Sequence, residues 1–178
     1  MIKHLKWLPV MAVALCALQA PAMTNSSGRA AADLGNEWTK WFAPNMVAKP
    51  LSEAPFPVCA VVTASGQVNG WIFRTDRIPP VVRGKRGEIG VLVGVGTDGR
   101  IKGISVIQQQ EDAAWFNRLK AGFYAQFNGH PADSREPRVD TVATATISSK
   151  AIVDDVFKSC AAVLALPAVQ AQMHPTPK

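Results

Sequence analysis

The chain has 178 residues, 48% of them hydrophobic and 18% charged, with a formal charge of +6. This is a globular composition, long enough to bury one core, and it excludes a disordered or collagen-like chain. The three cysteines form no Cys-x-x-Cys or Cys-x-x-Cys-His pair, which excludes a thiol-redox pair, an iron–sulfur site or a c-type haem attachment carried by the chain itself.

Residues 1–22, MIKHLKWLPVMAVALCALQAPA, join a basic start (Lys3, Lys6) to an apolar run from Trp7 to Leu18 that is short for a membrane span. Ala20-Pro21-Ala22 supplies the small residues of a cleavage site, so this segment is expected to be a signal peptide and Met23 the mature N-terminus. An uncleaved anchor is the alternative, and bulky Leu15 ahead of Cys16 argues against a lipoprotein. Export leaves Cys59 and Cys160 in a compartment that permits a disulfide. Both lie in apolar runs, where a cysteine serves equally well as a small hydrophobe, so both readings stand. His4, His130 and His174 are scattered, and no zinc cluster is expected.

Beyond a Ser/Gly/Ala-rich start, Leu34, Trp38, Trp41 and Phe42 recur at helical spacing and predict a helix over 34–47 that stops near Pro44. Pro50 to Pro57 reads as linker, which makes 23–57 an N-terminal helix and linker. Strands are expected at Val58–Thr63, Gly70–Thr75, Ile89–Gly96 and Ile101–Gln108. Thr97-Asp98-Gly99-Arg100 joins the last two as a hairpin with Asp-Gly at its centre, so Val93 and Ile104 should lie on paired strands. A helix is predicted over Trp115–Phe127, with Trp115, Phe116, Leu119, Phe123 and Phe127 on related faces. A last helix runs to about Leu166, capped by Ser148 or Ser149, and 167–178 is left as a flexible tail. The whole predicts one α+β domain over 58–166, a curved antiparallel sheet packed by two or three helices.

Two stretches carry more than fold. Gly84…Gly87-Glu88-Ile89-Gly90-Val91-Leu92-Val93-Gly94-Val95, followed by Asp98-Gly99-Arg100-Ile101-Lys102-Gly103, resembles the FMN-binding domain family. That family includes the periplasmic flavin domains of the Rnf and Nqr complexes and the N-terminal domain of NosR-type proteins. Gln126-Phe127-Asn128-Gly129 resembles its Phe/Gly segment. Val139 to Val153, VDTVATATISSKAIV, resembles its attachment motif, Asp-x-hydrophobic-Ser/Thr-Gly-Ala-Thr-x-Ser/Thr-Ser/Thr, beginning at Asp140.

The resemblance implies FMN esterified through its phosphate to the motif's last threonine, here Thr146, by a separate flavin transferase. It implies a role for Asp140, the motif's acid, in recognition or metal-assisted transfer, and a periplasmic setting. Thr144, Ser148, Ser149, Lys150 and Glu111 complete the expected cofactor-binding set. Physical chemistry agrees at one point: a phosphate beside Thr146 would meet unpaired backbone N–H groups and the positive end of a helix dipole, with Lys150 nearby. Two departures stand against it. Ala143-Thr144 replaces the motif's Ser/Thr-Gly, and Gln108-Gln109-Gln110-Glu111-Asp112 replaces a His then Glu-Thr, with only Glu111 matching.

Arg83-Gly84-Lys85-Arg86-Gly87 reads as a solvated basic loop, suited to an acidic redox partner or to the flavin phosphate, with no nucleic acid expected. Ser148, Ser149 and His130 form no ordered triad. The reading is therefore an exported electron carrier, in nitrous oxide or other anaerobic respiration, serving separate membrane-bound or periplasmic redox proteins. It is not read as an enzyme with its own substrate. The alternative is a flavin-free interaction or regulatory module that keeps the fold.

Overall fold

A computed structural model describes residues 33–119, 121–143 and 145–173. The expected signal peptide, Cys16, Thr144, His4 and His174 lie outside the described residues. Five strands form one antiparallel sheet in chain order: β1 (Val47–Pro50), β2 (Val58–Val62), β3 (Val68–Arg74), β4 (Gly90–Gly96) and β5 (Ile101–Gln108). Four helical segments follow: α1 (Ala113–Phe116), α2 (Ala121–Ala125), α3 (Thr146–Leu164) and α4 (Pro167–Gln170). The expected α+β class holds.

Alternation along the strands sends side chains to two faces. Val58, Ala60, Trp71, Phe73, Val91 and Val93 point into the larger core, and Cys59, Val61, Ile72 and Leu92 into the smaller. β4 is buried along its whole length, which explains a strand with no polar alternate. On the larger side lies α3. Its Ile152, Val156, Cys160 and Val163, spaced by four, four and three, have no exposed surface at all. Each aliphatic side chain buried in this way contributes about 1.5–3 kcal/mol.

The smaller face is covered by the segment before β1. Trp38 is buried there, with Trp41, Phe42 and Met46 packed beside it. Glycines make the contact possible: a Cβ on Gly94 would stand 2.8 Å from Trp41 Cε3, and one on Gly70 2.7 Å from Phe42 Cε1. The rings lie directly on the strand backbone. This corrects the helix expected over 34–47. Only a single 3-10 turn forms, Glu37–Lys40, and Gly35 and Asn45 take left-handed backbone at φ +59° and +65° on either side. One turn is enough to present three aromatics to a flat surface, and the chain then enters β1, a strand the sequence reading missed.

The β4–β5 hairpin forms with Val93 opposite Ile104. Its turn is shifted by one residue from the expected centre. The Gly99 N–H donates to the Gly96 carbonyl at 3.0 Å, and Gly99 itself takes φ +72°, so Thr97 and Asp98 form the tip. A second correction concerns the helix expected over 115–127, which breaks into α1 and α2. Phe116, Leu119, Phe123 and Phe127 are all buried in the larger core as the spacing required. Asn117 and Gly122, weak helix formers, stand in this stretch. At the C-terminal end, α4 forms within the segment read as tail, and Val169 is buried. Cys59 and Cys160 are free thiols on opposite faces of the sheet, so they form no bridge.

Candidate functional site

The stretch from Val142 to Ser149 builds one wall of the site. The Ala145 N–H donates to the Val142 carbonyl at 2.8 Å, closing a tight turn that leads straight into α3. Ala145 is the residue before the helix and, being alanine, supplies no side-chain cap. The serines are therefore not caps, contrary to the sequence expectation; both lie inside the first turns. The Ser149 hydroxyl donates to the Ala145 carbonyl at 2.9 Å and accepts from the Val142 N–H at 3.2 Å, stapling the turn to the helix.

Thr146 is the first residue of α3 and is exposed. Its hydroxyl donates backwards, to the Ala143 carbonyl at 3.0 Å and the Val142 carbonyl at 3.3 Å. The first helical N–H bond is the one from Ser149 to Ala145. The N–H groups of Thr146, Ile147 and Ser148 thus have no acceptor among the described residues, which is the ordinary condition of an uncapped helix start. They supply donors and positive potential beside an accessible hydroxyl.

Facing this wall is the basic loop. The Gly84 N–H donates to the Gly87 carbonyl at 2.8 Å, and a bridge between Arg83 and Glu88 holds its base. Between loop and helix lies a cleft of about 320 Å³ that takes in Lys85, Arg86, Glu111, Asp112, Thr146, Ile147 and Ser148, with the Arg86 guanidinium paired to Asp112 at 3.4 Å. Ile147 is 59% exposed there, an apolar side chain at the mouth of a polar cleft. Glu111 stands at the junction of the two walls. Its carboxylate accepts from the Arg86 backbone N–H at 2.8 Å and from the Ser148 hydroxyl. Partial burial would raise its pKa, but the Arg86 N–H, the Ser148 hydroxyl and the Lys85 and Gly87 N–H groups outweigh that and hold it below the usual carboxylate range.

Of the residues singled out from sequence, Thr146, Ser148 and Glu111 meet at this cleft. Ser149 lies just behind it, and Thr144 is outside the described residues. Lys150 does not turn to the helix start; its ammonium pairs with Asp154 at 2.9 Å one turn on. Asp140 is exposed and joined through its backbone to Gln126, whose side-chain oxygen accepts from the Asp140 N–H at 2.8 Å. Lys85 and Arg86 are the lining cations that the motif alone did not point to, although the loop had been noticed for its charge. A larger depression of about 580 Å³ runs along α3 and α4 past Val153, Phe157 and Lys158, away from the attachment-like turn.

A single α+β domain that presents a hydroxyl, helix-start N–H groups without an acceptor among the described residues, and two loop cations beside Glu111 and Asp112 around one cleft has the means to hold a phosphorylated cofactor. Residues 84–159 match the model of the FMN-binding domain family, and this segment belongs to that family. The match begins at the basic loop and ends within α3, so it contains both walls of the cleft. No protein of curated function matches the chain. Membership supports FMN as the cofactor and a flavin-binding role in electron transfer. The residues present fit the phosphate end of that cofactor, because the helix-start N–H groups have no acceptor among the described residues and Lys85 and the Asp112-paired Arg86 line the same cleft.

Proposed function

We propose that this protein is an exported electron carrier whose FMN is esterified through its phosphate to Thr146. The observation that carries the reading is the placement of Thr146: an exposed hydroxyl at the first position of a 19-residue helix, inside the cleft that Lys85 and Arg86 line. Bound FMN supplies one- and two-electron chemistry; the protein supplies attachment, orientation and tuning. The helix-start N–H groups and Lys85 hold the phosphate's negative charge, with Arg86 shared between the phosphate and Asp112. Ile147 offers apolar surface to whatever lies beyond it.

Attachment is the work of a separate flavin transferase using FAD. The Thr146 oxygen–phosphorus bond forms as the pyrophosphate bond to AMP breaks; AMP leaves and the hydroxyl proton passes to solvent. Electron donor and acceptor are separate membrane-bound or periplasmic redox proteins, in nitrous oxide or another anaerobic respiration. Residues 1–22 direct export, with Met23 as the mature N-terminus. N-terminal sequencing of periplasm-facing protein checks this, and an intact Met1 there would mean a membrane anchor.

Ala143-Thr144 favours a second reading, a flavin-free interaction or regulatory module, because the motif's glycine is absent. A denaturing gel separates the two. Protein co-expressed with a flavin transferase should give a band that fluoresces under ultraviolet light, and protein without the transferase should not. A dark band under both conditions hands the case to the flavin-free module.

A further inference from the structure

We infer that Glu111 is the positioning residue of this site: one carboxylate ties the basic loop to the first turn of α3 and thereby fixes the cleft in which Thr146 stands. The inference rests on the reading of Thr146 as the flavin-phosphate site, but its geometry is independent of that reading. Oε1 accepts from the Arg86 N–H, and Oε2 accepts from the Ser148 hydroxyl. Loop and helix lie far apart in sequence, and the cleft lies between them.

Three details show that the arrangement is built around this carboxylate. A Cβ at Gly84 would stand 2.7 Å from Glu111 Oε1, and a Cβ at Gly87 would stand 2.5 Å from Gln110 Oε1. Both glycines of the loop therefore make room for Gln110-Glu111. Next, Ser149 spends its hydroxyl inside its own helix, on the Ala145 carbonyl, whereas Ser148 one residue earlier reaches an element 37 residues back in the chain. Last, the Arg86 backbone N–H donates to the carboxylate at 2.8 Å, and the Lys85 and Gly87 N–H groups on either side of it help to hold the carboxyl pKa down. The anion seated against the loop backbone is the protein's own.

That filling divides the labour of the two walls. The Arg86 amide serves Glu111, so the loop meets a phosphate through the Lys85 side chain and through the Arg86 guanidinium, which also pairs with Asp112 at 3.4 Å. The helix-start amides, which have no acceptor among the described residues, remain for the phosphate itself. Without Glu111 the Arg86 amide would be open to that phosphate, and the loop would no longer be tied to the helix. Either change loosens the attached flavin without removing its attachment point.

The test uses the full chain, wild type and the variants Glu111→Ala and Ser148→Ala. In protein co-expressed with a flavin transferase, visible circular dichroism and fluorescence anisotropy report how tightly the flavin is held. Glu111→Ala should keep the Thr146 adduct by peptide mass spectrometry but lose at least half of the visible dichroism, with anisotropy falling toward that of a tethered, mobile dye. Ser148→Ala should move the same way by less. Wild-type dichroism and anisotropy in flavinylated Ser148→Ala and Glu111→Ala proteins would overturn the inference. Apoprotein provides the arm that does not depend on flavin: amide exchange at Arg86 should accelerate at least tenfold in Ser148→Ala, a change that removes only a hydroxyl. Unchanged Arg86 exchange in that variant also overturns the clamp. A wild-type protein with no adduct counts against the Thr146 reading alone, and the exchange measurement then decides Glu111.

Discussion

Thr146 donates its hydroxyl proton to the Ala143 carbonyl at 3.0 Å, across the tight turn that precedes α3. The proton is held on the turn side while the residue itself is exposed to the cleft. An oxygen so oriented keeps a lone pair for an incoming phosphorus. Thr146→Ala should abolish the flavin adduct, and Thr146→Ser should retain it. Because position 146 is an exposed helix start, the alanine variant should lose no more than about 0.5 kcal/mol of stability. Intact mass together with a denaturation midpoint checks both statements, and an adduct that survives in the alanine variant would move the site.

Thr144 occupies the place of the motif's glycine. A β-branched residue resists positive φ, and its Cβ limits close approach of another backbone. Thr144→Gly should therefore preserve or raise the flavinylated fraction under identical co-expression, read by peptide mass spectrometry. A clear fall would show that the turn has adapted to threonine.

Asp155 is 1% exposed, and neither of its carboxylate oxygens has a hydrogen-bond partner among the described residues. Burial pushes its pKa up to about 6 from 3.8. The nearby Thr75 hydroxyl and Val82 N–H work against the shift without reaching hydrogen-bond geometry, and Asp76 adds to it. The folded state thus binds this proton more tightly than the unfolded chain. The penalty of a buried charge is absent below about pH 3.8, grows through the window and is complete above about pH 6. Asp155→Asn should remove that slope and stabilise the protein above pH 6 by on the order of 2 kcal/mol. Urea melts at pH 4.5 and 7.5 test it; an asparagine variant less stable at pH 7.5 than wild type would refute the assignment.

The seam between Gly94 and Trp41 gives a stability test for the second face. Gly94→Ala places a methyl 2.8 Å from Trp41 Cε3, and the ring must lift. We expect a loss of about 1–3 kcal/mol, as for other overpacked contacts. Combined with Trp41→Ala, the loss should be less than additive, because the same contact is removed twice. Additive losses in a double-mutant cycle would mean that the ring does not rest on this strand.

The hairpin and α3 were legible because their signals are local. Asp98-Gly99 punctuates two apolar runs, and the α3 positions from Ile152 to Val163 repeat at helical spacing. The covering segment was not legible. Leu34, Trp38, Trp41 and Phe42 have helical spacing too, yet Trp41 and Phe42 lie on Gly70 and Gly94, and Leu34 and Trp38 join Cys59, Val61, Ile72 and Leu92, long-range facts that no window contains. Within the site, the motif located Thr146 and the Ser148-Ser149 pair but misread the serines as caps. Ser148 is drawn to Glu111 and Ser149 back to the turn, and neither partner is written in the spacing. Glu111 was singled out as a bare match; its bonds to the Arg86 amide and the Ser148 hydroxyl depend on tertiary contact.

The two thiols occupy separate strongrooms. Cys59 lies under Trp38 and Leu34 on one face, and Cys160 lies on the buried face of α3 on the other, with the sheet between them. Burial pushes the Cys59 thiol up to about 11 and the Cys160 thiol upward as well, so neither offers an appreciable thiolate at neutral pH. Alkylation of the native protein must wait for its cover to open. Each cysteine is consequently a clock for a different event: labelling at Cys59 times the release of the aromatic segment, and labelling at Cys160 times the departure of α3. If the N-terminal cover comes away before the rest, Cys59 will run fast while Cys160 keeps the time of global unfolding. Equal rates would make the domain one cooperative unit.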